Sequence, residues 1–200
     1  MGPPLPSTAL GIHAFGGPNS SAASILEVFV DFTCPFSSKI FLALKEVYEE
    51  IQNRVNVVFM PMPQPWHPSS AVVHECFHAA CMVNPELTSK LMAVSFEHGV
   101  DKFGDVPSQN KTRVEMHKEW ADIYEVLGVD KVQFMKNLTL PEGKGPNPGV
   151  PATLPLKFYV KACRQLNMHV TPTIRLNSIT CDSSSSWDKE QWLEFLQPCQ

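Results

Sequence analysis

Cys34-Pro35-Phe36-Ser37 follows an apolar run, Ile25 to Phe32, and opens a stretch with helical spacing. A thiol at such a junction meets the unpaired N–H groups and positive end of the helix dipole, which favour the nucleophilic thiolate. The plainer reading of a cysteine at a strand end is a small buried hydrophobe. Ser37 is placed to donate a hydrogen bond to a Cys34 thiolate. Asp31 reads either as a buried carboxylate that shuttles protons near the thiol or as a hydrogen-bonded structural residue. Lys39 either favours the thiolate or is merely solvated, and His67, among prolines, reads as a turn residue. A second constellation is Val170-Thr171-Pro172-Thr173, a proline inside an otherwise good strand. Proline forfeits a ladder hydrogen bond. A cis Thr171–Pro172 bond would leave backbone groups turned outward, able to pair with an extended peptide.

A third pattern is His74-Glu75-Cys76-Phe77-His78. On a helix, His74 and His78 share a face and could bind zinc, with Glu75 as general base and Glu97 downstream as a third ligand. That would make a zinc-dependent peptidase. The competing reading is a His-rich amphipathic helix that needs no metal.

The elements that must position these residues are legible from periodicity. Ile25 to Phe32 reads as a buried strand, Ser37 to Asn53 as a helix and Val55 to Met60 as a second strand, together a βαβ unit with a parallel pair. Pro35 suits a first helical turn. Helices are expected from Ser69 or Ser70 to Val83, Pro85 to His98, Ser108 to Leu127 and Asp130 to Asn137. A Pro/Gly-rich connection over 139–152 leads to a helix from Leu154 to Leu166. Strands at His169–Leu176 and Ser178–Cys181 and a helix at Trp187–Leu196 close the chain. Residues 1–24, rich in Pro, Gly and Ser, read as a flexible arm before a single domain over 25–198.

The active-site turn Asp31-Phe32-Thr33-Cys34-Pro35-Phe36, the segment Pro65-Trp66-His67-Pro68-Ser69 and Val170-Thr171-Pro172-Thr173 resemble the thioredoxin-like superfamily. The resemblance is to its DsbA-like branch and covers roughly residues 24–198. It implies an α/β, thioredoxin-like fold (βαβ, then ββα) with an inserted helical subdomain at about 66–150. It also implies a thiol–disulfide oxidoreductase whose nucleophile is Cys34, with Pro35, Phe36, Thr171 and Pro172 against the substrate. Dithiol members carry a second cysteine where this chain has Ser37. Cys34 alone would stop at a mixed disulfide until an external thiol resolved it. Glutathione is the expected co-substrate, as in monothiol glutaredoxins, whose turn looks similar; no tightly bound cofactor is expected. A redox-inactive binding module on the same fold is the alternative. Glutathione transferases of the kappa type resemble this architecture too, but place serine where Cys34 stands.

The bulk properties agree with a folded domain. The chain has 200 residues, 44% hydrophobic and 18% charged, enough apolar material for a core. Sixteen Lys and Arg against 20 Asp and Glu give a net charge of −4, and the basic residues form no runs. A nucleic-acid groove or a polybasic membrane patch is not expected. No apolar run approaches the roughly 20 residues that cross a bilayer. Met1 to Gly17 does not read as a secretory signal, so a cytoplasmic location is expected, although three N-x-[ST] matches fit a trimmed secreted form. The six cysteines are too few for a disulfide scaffold. The expected partners are disulfide- or thiol-bearing proteins and glutathione.

Overall fold

The computed structural model describes residues 5–199. Strand β1 (Ser24–Val30) lies inside a four-stranded sheet of order β2-β1-β3-β4. It pairs in parallel with β2 (Val55–Pro61), from Ser24 opposite Val55 to Val30 opposite Pro61. On its other side it runs antiparallel to β3 (Thr173–Leu176), which pairs with the edge strand β4 (Ile179–Cys181). The near-continuous apolar sequence of β1 follows from burial on both faces. Leu26, Val28 and Val30 point into the main core, while Phe29 faces Met60, Met62, Tyr159 and Cys163 on the opposite side.

Helix α1 (Pro35–Ile51) packs on the main-core face through Ile40, Phe41, Leu44, Val47 and Ile51, the 3.6-residue stripe of its sequence. Between β2 and the second half of the sheet sits the helical insertion. It contains α2 (Ser70–Val83), α3 (Thr88–Phe103), the short α4 (Asp105–Ser108), α5 (Arg113–Glu125) and α6 (Lys131–Asn137). Phe103, Trp120 and Tyr124 form an aromatic stack at its centre, with ring spacings of 4.6 and 4.9 Å. Helix α7 (Thr153–Gln165) covers the Phe29 face of the sheet, and α8 (Lys189–Phe195) closes the chain beside α1. No described helix is long and apolar enough to cross a membrane.

Several boundaries differ from the sequence reading, each for a local reason. Pro85 opens a 3-10 turn, and the α-helix starts at Thr88 and continues to Phe103. The helix expected over Ser108–Leu127 is shorter, running from Arg113 to Glu125, and Ser108 is instead the last residue of α4. A capping box between Thr112 and Glu115 begins a new helix at Arg113. Likewise Asp188 caps α8 from outside, in a box with Gln191, so the helix begins at Lys189. β3 starts only after Pro172, which has no N–H for the ladder.

The stretch before β1, expected as a flexible arm, is docked from Gly11 onward. Ile12 exchanges two 2.9 Å backbone hydrogen bonds with Phe59, and Phe15 packs on Phe41, Tyr48 and Phe59. The Asn56 side chain accepts from the Asn19 backbone N–H and donates to the Asn19 carbonyl. The sheet edge at β2 is thereby covered. Residues 1–4 lie outside the described residues.

Candidate active site

β1 ends one residue before Asp31, and the chain turns through Phe32 and Thr33 into α1. Cys34 is the N-cap of α1, in extended conformation, with Pro35 in the first helical position. No side chain caps the helix, so the first-turn amides lack an intrahelical partner. The residue is 4% exposed. Its Sγ donates to the Thr171 carbonyl at 3.5 Å, and the Thr171–Pro172 peptide bond is cis. Two segments 137 residues apart in sequence thus meet at one sulfur. Their flanks expose apolar surface, Phe36 at 53% and Val170 at 52%.

Ser37 is fully buried, and its hydroxyl accepts from the Asp31 backbone N–H at 3.2 Å. It therefore ties the first turn of α1 back to the end of β1, a role the sequence did not suggest. Lys39 lies over the ring of Phe36, 5.8 Å from its centroid. Pro35 and Phe36 are exposed beside Cys34.

Asp31 is the hub beneath this turn. Its Oδ1 accepts from the Thr33 backbone N–H and hydroxyl, both at 2.8 Å. Its Oδ2 accepts from the Gln64 backbone N–H at 2.7 Å and the Ser70 hydroxyl at 2.8 Å. His74 Nε2 lies 3.4 Å from Oδ1 and also 3.4 Å from the Phe32 backbone nitrogen. One ring nitrogen cannot donate and accept at once. A proton on Nε2 faces the carboxylate, and the buried Nδ1 has no hydrogen-bond partner. Burial pushes the Asp31 carboxyl up, but the hydrogen bond and charge of His74 and the amides of Thr33 and Gln64 outweigh it and hold the pKa at about 2. At neutral pH Asp31 is an ionised brace with no proton to give. Of the two sequence readings, the geometry supports the structural one.

The same geometry disposes of the peptidase pattern's parts separately. His74 is engaged with Asp31. Glu75 accepts from the Arg113 guanidinium at 2.5 Å and the Thr153 hydroxyl at 2.7 Å. His78 stacks on Tyr159 with ring centroids 5.2 Å apart, and burial followed by the charge of His74 lowers its pKa to about 3. Glu97 is exposed on α3. Among the described residues no group of three or more His, Cys, Asp or Glu is placed to hold a metal ion. His67 sits in the turn before α2, with Nδ1 3.2 Å from Asp105 Oδ1.

The insertion also touches the turn through Gly99 of α3. A Cβ there would stand 2.1 Å from the Phe32 carbonyl oxygen and 2.9 Å from its carbon. Only glycine allows that approach. Gly99→Ala is expected to destabilise the protein by about 1–3 kcal/mol, the usual cost of forced overpacking, and to change the rate at which Cys34 is alkylated. Thermal unfolding and iodoacetamide kinetics read the two effects; an unchanged melt and rate would show that α3 does not fix the turn. The sequence reading, which ended this helix at His98, carried no signal for the contact.

No family model matches the chain, and no curated protein matches it in sequence. Solved structures do match. A proposed protein-disulfide isomerase from Pseudomonas syringae is 24% identical, with a TM-score of 0.70 over 88% of this chain and 94% of that one. The catalytic domain of Proteus mirabilis ScsC is 17% identical, with a TM-score of 0.61 over 90% and 85%. The thiol-disulfide exchange protein alpha-DsbA2 from Wolbachia pipientis is 13% identical, with a TM-score of 0.61 over 91% and 84%. The strand order, the insertion after the βαβ unit and these likenesses together establish a thioredoxin-like fold of the DsbA and ScsC type.

Proposed function

We propose that the protein is a thiol–disulfide oxidoreductase working through one cysteine. The observation that carries this reading is the meeting of Cys34 Sγ, at the uncapped start of α1, with the Thr171 carbonyl of the cis-proline loop. Cys34 stands at the positive end of the α1 dipole, beside first-turn amides that lack an intrahelical partner. The exposed Phe36 and Val170 offer apolar contact to a bound peptide on either side of the sulfur.

In this reading the Cys34 thiolate attacks one sulfur of a substrate disulfide. A Cys34–substrate disulfide forms, the substrate S–S bond breaks, and the departing thiolate takes a proton from solvent. Ser37 stands where a resolving thiol would be needed, so a second, external thiolate must attack the mixed disulfide and expel Cys34 as thiolate. Glutathione is the co-substrate proposed for that step, and disulfide-bearing proteins are the proposed substrates. Asp31, held ionised, braces the turn and takes no part in proton transfer.

Ser37→Cys tests the reading. The wild-type protein is expected to accumulate a covalent adduct with a disulfide substrate until a thiol is added. The variant is expected to release that adduct internally as Cys34 and the introduced thiol close a disulfide, with single-turnover release of the substrate thiol at least tenfold faster in the absence of glutathione. Equal release from the two proteins would show that the site differs from a dithiol site by more than one sulfur. It would favour the non-catalytic binding module.

A further inference from the structure

A groove of about 470 Å³ opens between α7 and the loop that joins β2 to α2. Its floor is apolar, with Met62, Pro63 and Met168 among its walls; Arg164 is its charged side chain, joined by His169, by His67, whose Nδ1 faces Asp105 at 3.2 Å, and by the thiol of Cys163. No Asp or Glu lines it, in a protein of net charge −4. Arg164 is exposed and forms no ion pair among the described residues. The same wall holds Gln64, 2% exposed, whose Oε1 is buried without a hydrogen-bond partner. Its backbone is pinned to Asp31 at 2.7 Å, so this carboxamide is held in the groove's wall.

The groove adjoins both segments that frame Cys34. His169 precedes Thr171 by two residues, which keeps their Cα atoms within about 8 Å, and the Thr171 carbonyl accepts from Cys34 Sγ. Across the groove, Gln64 bonds the carboxylate of Asp31, three residues before Cys34. The His169 rim of the groove therefore lies toward the cis-proline loop, whose Thr171 carbonyl meets Cys34 Sγ.

We propose that this groove holds the carboxylate-bearing end of a small thiol peptide of the glutathione type and presents its sulfur to Cys34. The proposal rests on the single-cysteine reading above and assigns where the second thiol binds. Arg164 pairs with the ligand carboxylate, since a guanidinium matches that group in a bidentate fork. His169 adds a hydrogen bond at the rim. Gln64 accepts from a peptide N–H, and the apolar walls exclude water from the exchange. Chemically, the Cys34 thiolate attacks oxidised glutathione, the Cys34–glutathione disulfide forms, and one glutathione leaves as thiolate and is protonated.

The test compares two disulfides of opposite charge: oxidised glutathione, which carries carboxylates, and cystamine, which carries only ammonium groups. The rate of adduct formation on Cys34 is followed by mass spectrometry for wild type, Arg164→Ala and Arg164→Glu. Arg164 is exposed, so both variants are expected to keep the wild-type melting temperature. Arg164→Ala is expected to slow the glutathione reaction about five- to tenfold and leave the cystamine rate unchanged. Arg164→Glu is expected to slow it further and to speed cystamine. Equal effects on both reagents, or no effect on either, would overturn the site while leaving single-cysteine chemistry standing. A Cys34 that reacts with neither reagent in the wild-type protein would overturn the underlying reading, and the groove's role with it.

Discussion

Asp31→Ala is expected to destabilise the protein by about 3–5 kcal/mol, because it removes the acceptor of a buried ionic network and leaves its donors unpaired. The Thr33 and Gln64 amides and the Ser70 hydroxyl all end on this carboxylate. So does His74, at 3.4 Å. The loss spans three elements at once: the turn into α1, the loop after β2 and the start of α2. Asp31→Asn keeps the shape and loses the charge, and is expected to cost less than the alanine. The pH dependence has a definite sign. The carboxyl pKa falls from 3.8 to about 2 on folding, so its contribution is fully present above pH 4 and is lost as pH drops through 2. A shift of that size is worth about 2 kcal/mol. Urea unfolding of wild type, Asp31→Asn and Asp31→Ala at pH 7, 4 and 3 measures both effects. An Asp31→Ala protein within about 1 kcal/mol of wild type at pH 7 would show that the hub does not brace the turn.

Cys34→Ser is expected to abolish thiol exchange while leaving the fold intact. Serine fits the same N-cap position, where it is a preferred residue, and its hydroxyl can donate to the Thr171 carbonyl as the thiol does. Unfolding free energy is expected to stay within about 1 kcal/mol of wild type. Three of the other five thiols offer little background. Burial raises Cys81 and Cys163 to about 12 and pushes Cys76 well above its ordinary value, which leaves them protonated at neutral pH. Cys181, half-buried on the edge strand, is the thiol to remove in a control. Turnover of a small disulfide with reduced glutathione reads the outcome. Residual activity in Cys34→Ser that disappears with Cys181→Ser would relocate the chemistry to β4.

The sulfur and its proline loop were legible in the sequence because both signals are local. A cysteine between an apolar strand and a helical stripe, and a proline inside a strand, each declare themselves within a few residues. Residues whose roles depend on distant partners were not legible in this way. Asp31 could be read as catalytic or structural until Gln64, Ser70 and His74 were seen to converge on it. His74 illustrates the limit well. Its spacing from His78 gives a shared helix face, but what that face meets is decided by β1 folding beneath α2. Helix breaks were missed for a related reason, since Thr112 and Glu115 form a capping box only when the chain turns there. The segment from Gly11 to Ala22 looks like a loose arm by composition, yet Phe15 and Ile12 anchor it to the edge of the sheet.

The most direct test of the central claim is to expose the protein to oxidised glutathione at neutral pH, quench in acid, and map the adduct by mass spectrometry. One glutathione is expected, on Cys34, released when excess reduced glutathione is added. An adduct confined to Cys181, or no adduct on any of the six cysteines, would contradict it and leave a thioredoxin-like fold that binds without redox chemistry.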